Sequence, residues 1–252
     1  MINLEEQVAI ITGGSRGIGA ASALMFAKAG ADIVFTYLAN DFAAKQVVDG
    51  VSSLGRKCIA IKANVAKPKT AARIVEKTLQ KFGQIDILLN NAGIWTYGEI
   101  GKISEETWKE TMEVNLDGTF YMINAVIPHM KKRRYGRIIN MSSTAAQRGE
   151  AFHSHYAASK GAIISLTKSL ASELGGYNIN INSVAPGWVD TDMSSETLRN
   201  HKLIEEVLKG IPLGRVATSE DIAGTVLFLA SDFARHITGE VLNVNGGSVL
   251  VG

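Results

Sequence analysis

Tyr156 and Lys160 stand four residues apart at the start of a segment of helical period, Tyr156-Ala157-Ala158-Ser159-Lys160. That spacing puts a phenol and an ammonium on one helix face. A free phenol has a pKa near 10, so about one in a thousand is ionised at neutral pH, and a neighbouring cation favours the phenolate and suits the pair to acid–base work. Taken alone, the same spacing also fits an ordinary helix face. Upstream, an apolar run ends in Met141-Ser142-Ser143. If that run is a strand of a parallel sheet, Ser143 points toward the crevice at the strand's carboxyl end, where open α/β sheets bind ligands. A third feature is Thr12-Gly13-Gly14-Ser15-Arg16-Gly17-Ile18-Gly19, between an apolar run and a helical pattern. Glycines there permit positive φ, let backbone approach a pyrophosphate, and pack the new helix against the strand with its N–H groups facing the anion. A merely tight turn is the plain alternative, because Gly13, Gly17 and Gly19 depart from the common G-x-G-x-x-G.

These groups need a scaffold, and the apolar pattern supplies one. Short β-branched runs recur at Val8 to Thr12, Ile33 to Thr36, Cys58 to Ala63, Ile85 to Asn90, Arg137 to Met141, Ile179 to Ala185 and Val241 to Asn245. Between them lie amphipathic stretches of helical length: Ile18 to Ala29, Ala43 to Leu54, Thr70 to Phe82, Glu105 to Met130, Tyr156 to Leu174 and Ser219 to Ser231. The alternation predicts an α/β doubly wound fold, a seven-stranded parallel sheet flanked by helices. A chain of 252 residues without composition break or repeat fits one such domain over 1–252. Gly187 to Gly210 has no strand of its own and is a candidate substrate lid.

The end of the second strand bears on the cofactor. NAD sites place a carboxylate there for the ribose, whereas NADP requires that charge to be absent and a cation to be near. Thr36-Tyr37-Leu38 stands at that end; Asp32 precedes the apolar run and lies on the order of 10 Å away, at roughly 3.3 Å per residue. Arg16 is the candidate partner of the 2′-phosphate, with Ser15 and Thr36 as neutral donors, and NADP(H) is the expected cofactor.

Composition excludes several classes. Charged residues are 20% and hydrophobic ones 46% of the chain, which is ordinary globular usage and far from that of disordered chains. A net charge of +2 gives no whole-molecule attraction to nucleic acid or anionic membrane. No apolar stretch approaches the ~18 residues of a membrane span, and Met1 to Gln7 does not read as a secretory signal. One cysteine, Cys58, suits a reducing compartment, so the cytoplasm is expected. His153-Ser154-His155 lacks a Cys or carboxylate cluster, and these histidines read as loop residues near the substrate, with no metal. The run Lys131-Lys132-Arg133-Arg134-Tyr135 reads first as a solvated helix end and second as a docking surface for an acidic partner.

Taken together, Thr12 to Gly19, Asn90-Asn91-Ala92-Gly93, Ser143, Tyr156 to Lys160 and Pro186-Gly187 resemble the short-chain dehydrogenase/reductase family in identity, order and spacing, over essentially the full chain. The resemblance implies that Tyr156 is the general acid in reduction, that Lys160 lowers its pKa and holds the nicotinamide ribose, and that Ser143 orients the substrate carbonyl. It makes Asn115 the fourth member, supporting a proton-relaying water, although Asn115 by itself reads as a polar residue satisfied inside a helix. Asn91, Ala92 and Gly93 would run beneath the adenosine and ribose, Asn64 and Val65 would flank the adenine, and Thr191 would bond the carboxamide. Pro186, Gly187 and Val189 join the cofactor-binding set on the same ground. Within the family the chain looks most like the 3-oxoacyl-acyl-carrier-protein reductases of fatty acid biosynthesis, which implies NADPH, a 3-oxoacyl thioester, an acyl carrier protein and a homotetramer. Sugar, polyol, steroid and cyclic-ketone dehydrogenases are similar too, and an NADP-binding sensor without catalysis is the non-enzymatic alternative. Trp95, Tyr97, Phe152 and Trp188 suggest an apolar pocket and suit core or subunit contacts equally well. Where carrier-protein reductases place a further arginine, this chain has Gly176-Tyr177.

Overall fold

The computed structural model describes residues 2–251; Met1 and Gly252, the ends of the expected domain, lie outside the described residues. All seven expected strands form: β1 (Val8–Ile11), β2 (Asp32–Tyr37), β3 (Cys58–Lys62), β4 (Ile87–Asn90), β5 (Gly136–Met141), β6 (Ile179–Pro186) and β7 (Val241–Val244). They make one parallel sheet in the order β3-β2-β1-β4-β5-β6-β7. The order reverses at β1, which lies between β2 and β4, so the crevice falls above the carboxyl ends of β1 and β4.

Among the described residues ten α-helices connect and cover the strands: α1 (Gly17–Lys28), α2 (Asp41–Ser53), α3 (Pro68–Phe82), α4 (Glu105–Met112), α5 (Gly118–Arg133), α6 (Ala145–Arg148), α7 (Ser154–Leu174), α8 (Ser195–Arg199), α9 (His201–Lys209) and α10 (Ser219–Ala230). Successive strand residues point to opposite faces, which explains why the strands read as unbroken apolar runs. Ile11, Phe35, Leu89 and Ile139 pack on one side with Phe26 of α1 and Val226 of α10. Their neighbours Ile10, Val34, Leu88 and Ile138 pack on the other with Ile74 of α3 and Met122 of α5. The inner strands are therefore mostly apolar on both faces, with a buried polar chain where the Asn90 amide donates to Asn140 and the Asn140 amide donates to the Thr167 hydroxyl.

Three expectations are revised. The single helix expected over Glu105 to Met130 is broken by a π-helical turn at Glu113–Asp117, which holds Asn115, and its second half runs on to Arg133. Gly187 to Gly210 carries two helices, α8 and α9, and α9 presents no buried residue. The basic run closes α5 just before β5 begins at Gly136, so it sits at the amino edge of the sheet, opposite the crevice. Its charges are also engaged. Arg133 pairs with the buried carboxylate of Asp86 at 2.8 Å, Arg134 donates to the Gly176 carbonyl at 2.8 Å, and Lys131 lies over the Tyr177 ring. A helix antiparallel to its strand must carry its last turn away from the strand's carboxyl end, and the basic residues go with it.

Candidate active site

The turn after β1 is built for an anion. Gly14 N–H donates to the Thr36 carbonyl and Gly13 N–H to the Thr36 hydroxyl, which fixes the turn against β2. Asn91 braces it from β4, its side-chain amide donating to the carbonyls of Thr12 and Gly13. The N–H groups of Ser15 and Arg16 find no acceptor among the described residues, and α1 begins at Gly17 with no side-chain cap and no acidic residue in its first turn. Those open donors at a positive helix end fit a pyrophosphate. A Cβ on Gly19 would overlap the Gly13 carbonyl oxygen, and one on Gly13, where φ is +64°, would lie 3.0 Å from the Ala92 Cα. Glycine is required at both by close backbone approach.

The expected cofactor residues divide by location. Gly13, Ser15, Arg16, Gly17, Ile18, Thr36, Asn64, Val65, Asn91, Ala92, Gly93, Pro186, Gly187, Val189 and Thr191 all line one crevice with Ser143, Tyr156 and Lys160. Gly19 is buried in the packing of α1 on the turn. Thr36 is 1% exposed, and its hydroxyl oxygen accepts from the Gly13 N–H at 3.2 Å, which also shapes the turn. Asp32 is confirmed at the far end of β2, paired with Arg56 at 3.1 Å. Arg16, the candidate partner of the 2′-phosphate, is paired with Asp192 at 3.1 Å. Long-range pairing with a segment 176 residues away is invisible to local sequence reading.

The chemical end of the crevice gathers around β5 and α7. Tyr156 lies in the first turn of α7 and lines the crevice together with Ser143, whose Oγ accepts from the Ala145 N–H at 3.1 Å. Lys160, one turn on, is 5% exposed, and its Nζ donates to the Met141 carbonyl at 2.8 Å. The ammonium stands 5.8 Å from the centre of the Tyr156 ring. Burial pushes the Tyr156 phenol up to about 12, with the Ser143 hydroxyl opposing this and the Glu150 carboxylate adding to it. Burial also brings Lys160 down to about 8. Burial thus acts on both groups in opposite directions, and the lysine Nζ is held by the Met141 carbonyl. A phenol held at about 12 keeps its proton at neutral pH, which is the form that donates.

Asn115 is fully buried and lines no part of the crevice. Its Oδ1 accepts from Ile94 N–H at 2.8 Å, and its Nδ2 donates to the Ile94 carbonyl and the Ser159 hydroxyl. The π-helical turn brings this amide inward, where it clamps the end of β4 to α7. A Cβ on Gly93 would lie 3.2 Å from Asn115 Oδ1 and 3.4 Å from Lys160 Nζ, so Gly93 leaves open the space where the two meet.

Of the aromatics, Trp95 and Trp188 line the crevice and meet edge to face, whereas Tyr97 and Phe152 stack on each other at its exposed rim. His153 stacks flat on Trp95 at 4.3 Å, beside the substrate end as expected. His155 is a correction: it lies in α7, fully buried, with Nε2 against the Thr96 hydroxyl at 2.9 Å. Arg148 and Glu150 also line the crevice, two opposite charges on either side of Gly149.

Tyrosine, lysine and serine converging opposite an anion-ready turn, on a sheet of this order, match one enzyme family. The family model described as enoyl-(acyl carrier protein) reductase matches residues 13–248. The chain belongs to the short-chain dehydrogenase/reductase family. It is therefore an oxidoreductase that works with a nicotinamide cofactor. Among its relatives, a 3-oxoacyl-acyl-carrier-protein reductase of Synechocystis sp. is 41% identical over 251 residues, 99% of this chain and 100% of the relative. The reductase of that name from Thermotoga maritima is 39% identical over 252 residues, 99% of this chain and 100% of the relative. That of Staphylococcus epidermidis is 38% identical over 239 residues, 95% of this chain and 97% of the relative. Among the described residues no helix is long and apolar enough to cross a membrane.

Proposed function

We propose that this short-chain dehydrogenase/reductase reduces the ketone of a 3-oxoacyl thioester to a secondary alcohol with NADPH, as a cytoplasmic homotetramer in fatty acid biosynthesis. In this reading 1–252 is one catalytic domain with 187–210 as its substrate lid. The observation that carries the proposal is that Ser143, just past the carboxyl end of β5, and Tyr156 line the same crevice as the open N–H groups before α1. Two donors at one point suit an oxygen that gains negative charge in the transition state.

The reduced nicotinamide, when bound, supplies a hydride to the carbonyl carbon. The backbone of Ser15 and Arg16 and the first turn of α1 would hold the pyrophosphate, Asn64 and Val65 would flank the adenine, and Thr191 would bond the carboxamide. Ser143 donates to the carbonyl oxygen and sets its position. As the carbonyl π pair moves onto that oxygen, Tyr156 gives it the phenolic proton, so the ketone takes up one hydride and one proton. Lys160 keeps a positive charge beneath the phenol and binds ribose hydroxyls, and Asn115 holds β4 and α7 at the spacing this needs.

Cofactor choice rests on what meets the second ribose. At the carboxyl end of β2 the crevice is lined by Thr36, Tyr37 and Leu38, without a carboxylate. Arg16 exchanges Asp192 for the 2′-phosphate, a cheap exchange because both side chains of the ion pair are about two-thirds exposed. The acyl carrier protein is the proposed partner that presents the thioester. Its acidic surface would meet Arg148 at the crevice rim, a cation without a salt-bridge partner among the described residues, in place of the engaged Arg133.

A substrate panel tests the reading. With NADPH, acetoacetyl thioesters are reduced, while crotonyl thioesters, sugars and cyclic ketones are turned over at least tenfold less efficiently. Preference for a crotonyl thioester would move the assignment to enoyl reduction, and preference for a sugar or cyclic ketone would move it to the small-carbonyl enzymes.

A further inference from the structure

Glu150 is a carboxylate in an unusual place. It lies in the short connection between α6 and α7, on the wall of the crevice that Tyr156 and Ser143 occupy. Its side chain is 19% exposed. An ionised carboxylate withdrawn this far from water needs partners, and it has about four acceptor sites to fill. Among the described residues just one hydrogen bond reaches it, from the Trp95 indole N–H at 3.4 Å, which is long. The next donor, His153 Nδ1, is 3.9 Å away and already faces the Ala151 carbonyl at 3.1 Å.

The backbone holds this side chain in position. Gly149 has φ +75° and Phe152 has φ +63°, so left-handed residues bracket Glu150 on both sides. For a bulky residue such as Phe152 that conformation costs about 1–3 kcal/mol and persists only where surrounding contacts impose it. Here Gly98 N–H donates to the Phe152 carbonyl at 2.7 Å, and Gly98 pairs with His153 in a β-bridge. Strained backbone pinned to a neighbouring segment keeps the carboxylate turned to the crevice, against the face formed by Trp95 and His153.

We infer that Glu150 is a specificity-determining residue that accepts a hydrogen bond from an N–H or O–H donor on the substrate limb beyond the reacting carbonyl. The inference rests on the proposed reduction of thioesters, for which that donor is an amide N–H of the thioester arm. A carboxylate with vacant acceptor sites rejects an apolar limb, because closing the crevice on such a limb leaves the charge desolvated and unpaired. A donor-bearing limb removes that cost, while Trp95 and Trp188 take up the hydrocarbon beside it. The carboxylate also raises the Tyr156 phenol, an effect common to all substrates that cancels when two of them are compared.

The test uses two thioesters that differ by the amide alone: acetoacetyl-N-acetylcysteamine and the S-ethyl ester of thioacetoacetate. Wild-type enzyme with saturating NADPH is expected to favour the amide-bearing compound about tenfold in kcat/KM, the effect of one hydrogen bond to a charged group. Glu150→Ala should bring that ratio to near one, and Glu150→Gln, which keeps the size and a neutral acceptor, should leave a ratio of about threefold. A loss shared by both compounds, as a structural disturbance would give, leaves the ratio at its wild-type value and overturns the assignment while thioester reduction stands. If wild-type enzyme reduces neither compound, the thioester reading falls and the assignment falls with it.

Discussion

In the proposed reading, the Arg16–Asp192 ion pair would set the choice of cofactor as a difference of two contacts. Arg16 spans the crevice to Asp192 at 3.1 Å, with side-chain exposures of 67% and 69%. A pair so open to solvent contributes about 0.2–1 kcal/mol. A guanidinium hydrogen-bonded to a phosphate contributes about 1.5–3 kcal/mol. Subtracting one from the other leaves about 1–2 kcal/mol in favour of NADPH, or about 5–30-fold over NADH. Arg16→Ala removes both contacts and should raise the KM for NADPH by about that factor while leaving NADH nearly unchanged. Asp192→Asn removes only the competing contact and should improve NADPH binding by up to about fivefold, an effect that shrinks as salt screens the wild-type pair. Steady-state constants for both cofactors, at low and high ionic strength, measure all of this. If Arg16→Ala keeps the wild-type preference for NADPH, or Asp192→Asn weakens NADPH, the reasoning is refuted.

Three further outcomes follow from the geometry. Burial holds Lys160 at about 8 and the Tyr156 phenol at about 12, so the phenol keeps its proton across the working range while the lysine loses its charge as pH rises through about 8. The kcat/KM for NADPH should accordingly be level below that pH and fall above it; a profile that rises through pH 8 would contradict the assignment. Gly19→Ala puts a methyl group into the Gly13 carbonyl and within 2.7 Å of the Asn91 amide, and should lower the melting temperature by about 4–8 °C, on the order of 2 kcal/mol, with weaker cofactor binding. Arg133→Glu sets a second carboxylate beside buried Asp86, whose remaining partners are the Val8 N–H and the Gln84 amide. It should cost a similar 4–8 °C in thermal denaturation, whereas Lys132→Glu, at an exposed position, should cost little.

The sheet was legible because its inner strands are buried on both faces and so are written as continuous runs such as Ile85 to Asn90. The site was legible where chemistry or backbone dictates the residue type: the glycine turn, Ser143, and the Tyr156–Lys160 spacing. Asn115 needed the family resemblance, since only a π-helical turn, unmarked by any residue pattern, swings its amide against Ile94 and Ser159. What escaped depends on direction or on distant partners. The basic run gave no hint that α5 ends at the sheet's amino edge, or that Asp86 waits there for Arg133. Arg16 was read from its turn alone, and Thr36 from its strand end, whereas their actual partners, Asp192 and Gly13, are fixed by tertiary packing. Glu150 is polar, near a glycine and unremarkable in sequence; its burial beside Tyr156 is what gives it meaning.

The account turns on Tyr156 as the group that gives its proton to a ketone. Its most direct test is a single-turnover experiment, following NADPH absorbance after mixing the binary complex with an acetoacetyl thioester, for wild-type enzyme and Tyr156→Phe, with NADPH affinity measured separately by fluorescence. Wild-type enzyme should convert one NADPH per active site and yield the 3-hydroxyacyl product; Tyr156→Phe should bind NADPH within about threefold of wild type and convert none on the same timescale. NADPH consumption by Tyr156→Phe at more than a few per cent of the wild-type rate would contradict the assignment.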